Sequence, residues 1–138
     1  MKYQMGDIVW ASEATKREEI EHKENVRNHF FVIIDDDGKV VPIDYFGLVV
    51  SSRTEKSKEN SPYKYNEPLY ANECGLKYDG IVKCDQLMNI PSENISRKVG
   101  EIDTDVLNRF LDAFVNYLNE NVHELVLFSW QTSTNNAI

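Results

Sequence analysis

Only one stretch of this 138-residue chain repeats its apolar residues at helical spacing, and it lies late in the sequence. Val106, Leu107, Phe110, Leu111, Phe114, Val115 and Leu118 fall on a single stripe, which predicts an amphipathic helix from residue 103 or 104 to 119. Asp103 or Thr104 can cap its start, because a short oxygen-bearing side chain accepts from the unpaired amides of a first turn. Everywhere else the apolar residues come in short runs. One of the longest, Phe30, Phe31, Val32, Ile33 and Ile34, has the length of a strand and falls far below the roughly 20 residues of a membrane span. One late helix and many strand-length runs leave a mainly β fold with the helix packed against it.

Along the chain, residues 6–11 read as a first strand with alternating apolar side chains. Residues 12–28 are polar and without period, as in a long loop. Residues 29–35 form a strongly apolar strand, and Asp37-Gly38 then gives a signal for a tight hairpin turn. Residues 40–51 supply the returning strand, kinked near Pro42 and Gly47, and residues 53–64 form a second polar loop. A strand over 65–72 is pushed toward a sheet edge by Pro68, and 72–76 reads as a turn. A further strand covers 80–87, with 88–91 leading out of it. One helical turn at 92–95, a short strand at 96–100 and, after the long helix, a strand at 123–130 complete the pattern. Residues 1–130 are expected to form one domain, and the polar residues 131–138 a frayed tail. The fold class expected is mainly β α+β, a small barrel with a C-terminal amphipathic helix.

Charge narrows the function. Twenty-three acidic against fifteen basic residues leave a net charge of −8, so the average field repels phosphate and argues against a duplex DNA binder. An enzyme that holds a few nucleotides in a local basic groove remains open. The cations do cluster, with Lys16, Arg17, Lys23 and Arg27 in one segment and Arg53, Lys56, Lys58 and Lys64 in another, although carboxylates are interleaved in both. The N-terminal residues lack the apolar core of an export signal, which predicts a soluble cytoplasmic protein. Cys74 and Cys84 show no CxxC spacing and no nearby histidine pair, so reduced thiols are expected rather than a zinc site. No glycine-rich phosphate loop, nucleophile elbow or metal-ligand cluster is visible, and neither a metal nor another cofactor is expected.

The order of these motifs resembles the MazF/PemK family of toxin ribonucleases. Gly6-Asp7-Ile8-Val9-Trp10 is similar to the family's opening strand, and the apolar run from Phe30 follows a charged loop as it does there. Val49-Val50-Ser51-Ser52 falls where the family ends a strand on a small hydroxyl residue. The segment 80–87, ending Asp85-Gln86-Leu87, resembles its late strand, and 96–102 before the helix resembles its closing turn. The resemblance spans about residues 5–118. It implies an SH3-like barrel of the MazF/PemK/CcdB type, a homodimer, cleavage of single-stranded RNA without a metal, and a cognate antitoxin protein that blocks the RNA groove. One departure stands out. The family has an Arg-Pro pair leading into its second strand, and here His29 and Phe30 occupy those places. Arg27 lies two positions earlier and would share a face with His29 in an extended segment.

RNA can be cut without a metal because its own 2′-hydroxyl attacks the neighbouring phosphate. The protein supplies a base for the 2′ proton, an acid for the leaving 5′ oxygen, and a cation or donors for the charge that builds on phosphorus. An imidazole titrates in the right range for either proton role, which makes His29 the candidate. Arg27 or Arg53 could grip the phosphate through a bidentate fork, and Ser51 or Ser52 could donate to one of its oxygens. Lys56 and Lys58 could follow the backbone, while Trp10, Tyr63 and Tyr65 offer faces for unpaired bases. Two other functions fit the same residues: a catalytically degenerate relative that only binds, and an SH3-like protein-interaction module.

Overall fold

The computed structural model of the chain describes residues 2–12, 27–51 and 64–121. Six strands form one antiparallel sheet: β1 (Asp7–Ser12), β2 (Asn28–Asp36), β3 (Asp44–Ser51), β4 (Asn66–Leu69), β5 (Gly80–Pro91) and β6 (Ile95–Glu101). A short helix, α1 (Ala71–Cys74), joins β4 to β5, and α2 (Thr104–Glu120) follows β6. The strand order is β4-β5-β3-β2-β1-β6, so the described sheet has β4 and β6 at its edges. This is the mainly β arrangement with a C-terminal helix expected from the sequence. None of the described helices is long and apolar enough to cross a membrane.

The middle strands are apolar at successive positions, rather than at alternate ones, because both faces of the sheet are covered. One core, on the helix side, joins Ile8, Val32, Leu48 and Val82 to Leu107 and Phe110 of α2. The other unites Tyr3, Val9, Phe31, Ile33, Tyr45 and Ile90. Neighbours in sequence such as Phe31 and Val32 therefore go to opposite cores, as the pleat requires. Burying a side chain such as Phe110 contributes about 1.5–3 kcal/mol, and α2 is held chiefly by that stripe. Asp103 caps it, its carboxylate accepting from the Val106 amide at 3.0 Å.

α2 is also clamped by charge. Arg109 Nη2 donates to Glu73 Oε1 at 2.6 Å and to the Pro68 carbonyl at 2.8 Å. The same Glu73 oxygen accepts from the Tyr70 amide at 3.0 Å. One arginine thus ties the helix to the end of β4 and to α1. At the far end of α2, Glu120 pairs with Lys64 and accepts from the Tyr65 hydroxyl, while Tyr65 packs edge-on against Tyr117.

Several boundaries differ from the sequence reading. The hairpin at Asp37-Gly38 is not a two-residue turn, because β2 runs to Asp36 and β3 starts only at Asp44. Asp37 explains the wider connection: its carboxylate accepts from the amides of Lys39, Ile43 and Asp44, closing the loop through a side chain. The strand expected at 65–72 is shorter, and the turn at 72–76 is the helix α1, ended by Gly75 with φ +82°, a left-handed position that glycine adopts without strain. Residues 88–91 continue β5 instead of leaving it. The predicted helical turn is a 3₁₀ turn over Ser92–Asn94. The strand expected at 123–130 and the tail 131–138 lie outside the described residues.

Candidate functional site

A cleft of about 480 Å³ opens where β2 begins and β3 ends. Four of the residues singled out from sequence line it together: Trp10, Arg27, His29 and Ser51. Strand register explains why. Phe30 pairs with Val50 and Phe31 with Val49, so the same register carried one step further sets His29 across from Ser51. On the other side, His29 pairs with Ala11 of β1. Trp10, opposite Phe30, holds its ring 4.7 Å from the phenyl at an angle of 54°. His29 stands edge-on to Phe31, with ring centroids 6.0 Å apart. The imidazole is half-buried against aromatic carbon, and Arg27 just before it is exposed.

Two further lining residues escaped the sequence reading, Lys83 and Gln86 of β5. Lys83 is reached by a continuous row of paired residues, Val9 to Phe31 to Val49 to Lys83. The pairing of β3 with β5 then breaks: Val49 faces Lys83, but Leu48 faces Leu87. Residues 84–86 are looped out of that ladder as a bulge, a device that re-aims side chains next to sites, and Gln86 reaches the cleft from it. The sequence signal was present in the strand 80–87, where a lone lysine interrupts apolar residues. Cys84 sits in the same bulge but is buried, and burial pushes its thiol up to about 12, so it stays protonated and is no nucleophile.

The described lining contains Arg27, Lys83 and His29 and neither Asp nor Glu, although the whole chain is acidic by eight charges. Among the described residues, then, the cleft gathers cations on a chain that is negative overall. Such an arrangement can take an anion the size of a phosphate, bring an imidazole and a hydroxyl beside it, and offer an indole face to a flat group. Tyr65 does not reach the cleft, since it packs on α2 instead. Ser52, Arg53, Lys56, Lys58 and Tyr63 lie outside the described residues. Among the described residues no group of three or more His, Cys, Asp or Glu could hold a metal ion.

Solved structures share this fold at low sequence identity. A mycobacterial endoribonuclease in complex with its cognate antitoxin is 10% identical with a TM-score of 0.62, the alignment covering 86% of this chain and 96% of that one. A chain of the MazE–MazF complex from Deinococcus radiodurans is 15% identical, with a TM-score of 0.58 over 85% of this chain and 96% of that one. The Mycobacterium tuberculosis toxin MazF-mt6 is 12% identical, with a TM-score of 0.53 over 80% and 96%. No curated protein matches the chain. The family model described as PemK-like, MazF-like toxin of type II toxin–antitoxin system matches residues 4–118, and the chain belongs to that family.

Proposed function

We propose that the chain is the toxin of a toxin–antitoxin pair, an endoribonuclease that cuts single-stranded RNA without a metal and is restrained by a cognate antitoxin protein. The observation that carries this reading is the cleft in which Arg27, His29, Ser51 and Lys83 meet, with no carboxylate among its described lining residues. Arg27 and Lys83 hold the phosphate from two walls. His29 takes the 2′ proton, the 2′ oxygen attacks phosphorus, and the P–O5′ bond breaks. The protonated His29 returns that proton to the 5′ oxygen, directly or through water, so the products are a 2′,3′-cyclic phosphate and a 5′-hydroxyl. Ser51 donates to a phosphate oxygen. Trp10 offers a stacking face, and Ser52, Arg53, Lys56, Lys58 and Tyr63 extend the site beyond Ser51 in sequence. The reading takes residues 1–130 as one domain, working as a homodimer in the cytoplasm.

Family membership and the endoribonucleases of the same fold support it, and His29 in place of the family's arginine is its point of greatest exposure. The test is incubation of the purified protein with a randomised single-stranded RNA in EDTA, with end-group analysis of the fragments. Cleavage leaving cyclic phosphate ends is expected, and His29→Ala and Arg27→Ala should each slow it by about 10²–10⁴-fold. If no RNA is cut while an antitoxin still binds, the protein is a degenerate, binding-only member.

A further inference from the structure

A second, smaller cavity of about 110 Å³ lies against the cleft and shares a wall with it, the ridge formed by Phe30, Val50 and Ser51. Its far side is the connection from α1 to β5, where Leu76, Lys77, Tyr78 and Asp79 line it. The connection stands close to the ridge because Gly80 begins β5 hard against β3: a methyl group there would come 2.8 Å from the Ser51 carbonyl oxygen. Asp79 is fixed in orientation, its Oδ1 accepting from the Ala71 amide at 2.8 Å. Tyr78 is 71% exposed, an unusual position for so large a ring, and the Lys77 ammonium lies 5.5 Å from its centroid.

We infer that this cavity is the specificity pocket of the ribonuclease, taking one unstacked base with an exocyclic amino group, next to the phosphate held in the cleft. The inference rests on the proposed ribonuclease function, and it names the class of base that such an enzyme selects. A single strand whose phosphate sits between Arg27 and Lys83 passes over the Phe30–Ser51 ridge, and the adjoining base drops behind it. There the base meets apolar carbon from Phe30 and Leu76 and the face of Tyr78. Stacking of this kind suits any base, so the choice falls to the polar group at the rim. Asp79 is a fixed acceptor: it favours the amino edge of cytosine or adenine and disfavours the carbonyl edge of uracil. Lys77 offsets the repulsion between that carboxylate and the RNA backbone. The limited volume admits one base and excludes a stacked pair.

Two measurements test this. The first is binding of 2′-O-methyl oligonucleotides, which cannot be cut, identical except for cytosine or uracil at each position in turn. The wild type should prefer cytosine at one position. Tyr78→Ala should weaken that probe by about tenfold or more, Tyr78→Phe should restore it, and Asp79→Asn should erase the preference while keeping the Ala71 contact. Equal affinity of the cytosine and uracil probes, or no loss in Tyr78→Ala, overturns the inference, as does wild-type binding to none of the probes. The second is cleavage mapping on randomised RNA, where the same base should stand beside the cut and its selection should relax in Asp79→Asn. An unchanged motif and rate in Tyr78→Ala and Asp79→Asn overturns the pocket but leaves the ribonuclease standing. Base-selective binding without any cleavage leaves the pocket standing and removes the ribonuclease.

Discussion

The cleft and the clamp on α2 use the same kinds of side chain in opposite ways. At the clamp, Arg109 is matched by Glu73 and a carbonyl within 2.8 Å, and the pair joins three elements of the fold. In the cleft, Arg27 and Lys83 stand in a lining that holds no carboxylate among the described residues. The charge at the clamp is matched by a carboxylate of the same chain, whereas the described lining of the cleft brings two cations together without one. An acidic protein can therefore attract RNA at one place without a basic surface overall.

The sharpest way to break this contrast is to put a carboxylate where the described lining has a cation. Lys83→Glu should lower kcat/KM for RNA cleavage by about 100-fold or more, because it replaces attraction for the phosphate with repulsion at the reacting group. Rate measurements on one defined RNA would check it. An unchanged rate would mean that the charge of the lining is incidental.

A smaller effect is expected at the clamp. Arg109→Ala leaves Glu73 and the Pro68 carbonyl without their donor, and should lower stability by about 1–3 kcal/mol in urea denaturation. Cleavage by the folded fraction should stay near the wild-type rate. Loss of cleavage at full folding would show that clamp and cleft are coupled.

The smallest effect concerns acid. Desolvation pushes the Glu73 carboxyl up, but hydrogen bonds from Arg109 and the Tyr70 amide, with the charge of Arg109, outweigh it and leave the group below its ordinary value. A carboxyl lowered by folding adds stability above its unfolded pKa of about 4.3 and loses it as the pH falls through the folded value. Glu73→Gln should flatten this acid limb by under about 1 kcal/mol, since the pair is partly exposed. Denaturation midpoints between neutral pH and pH 3 would measure it.

Most of the frame was legible because its signals are local. The stripe from Val106 to Leu118 located α2, and of the two caps the sequence offers, Asp103 and Thr104, the helix uses Asp103. The apolar run from Phe30 marked β2. The family resemblance singled out His29 and Ser51, the two-residue offset from His29 added Arg27, and the fold brings these three into one cleft. What failed depended on partners distant in sequence. Asp37 converts a turn signal into a longer loop by reaching the amides of Ile43 and Asp44. Residues 88–91 read as an exit because Asn89 and Pro91 weaken the strand pattern, yet Asp44, Tyr45 and Phe46 of β3 pair with them. Gln86 was missed because no sequence rule marks a bulge whose register is set by the opposite strand, whereas Lys83 left a signal, a lysine among apolar strand residues, whose meaning depends on the facing Val49.

Ser12 and Asn28 face each other at the end of the β1–β2 ladder, and the Ser12 carbonyl also accepts from the buried Asn94 side chain at 3.1 Å. The last rung of that ladder is thus held from the sheet and from the 3₁₀ turn at once. Arg27, directly before Asn28, therefore projects from an anchored rung rather than from a loose strand end, and loosening the Asn94 contact would be felt at the mouth of the cleft although Asn94 does not line it.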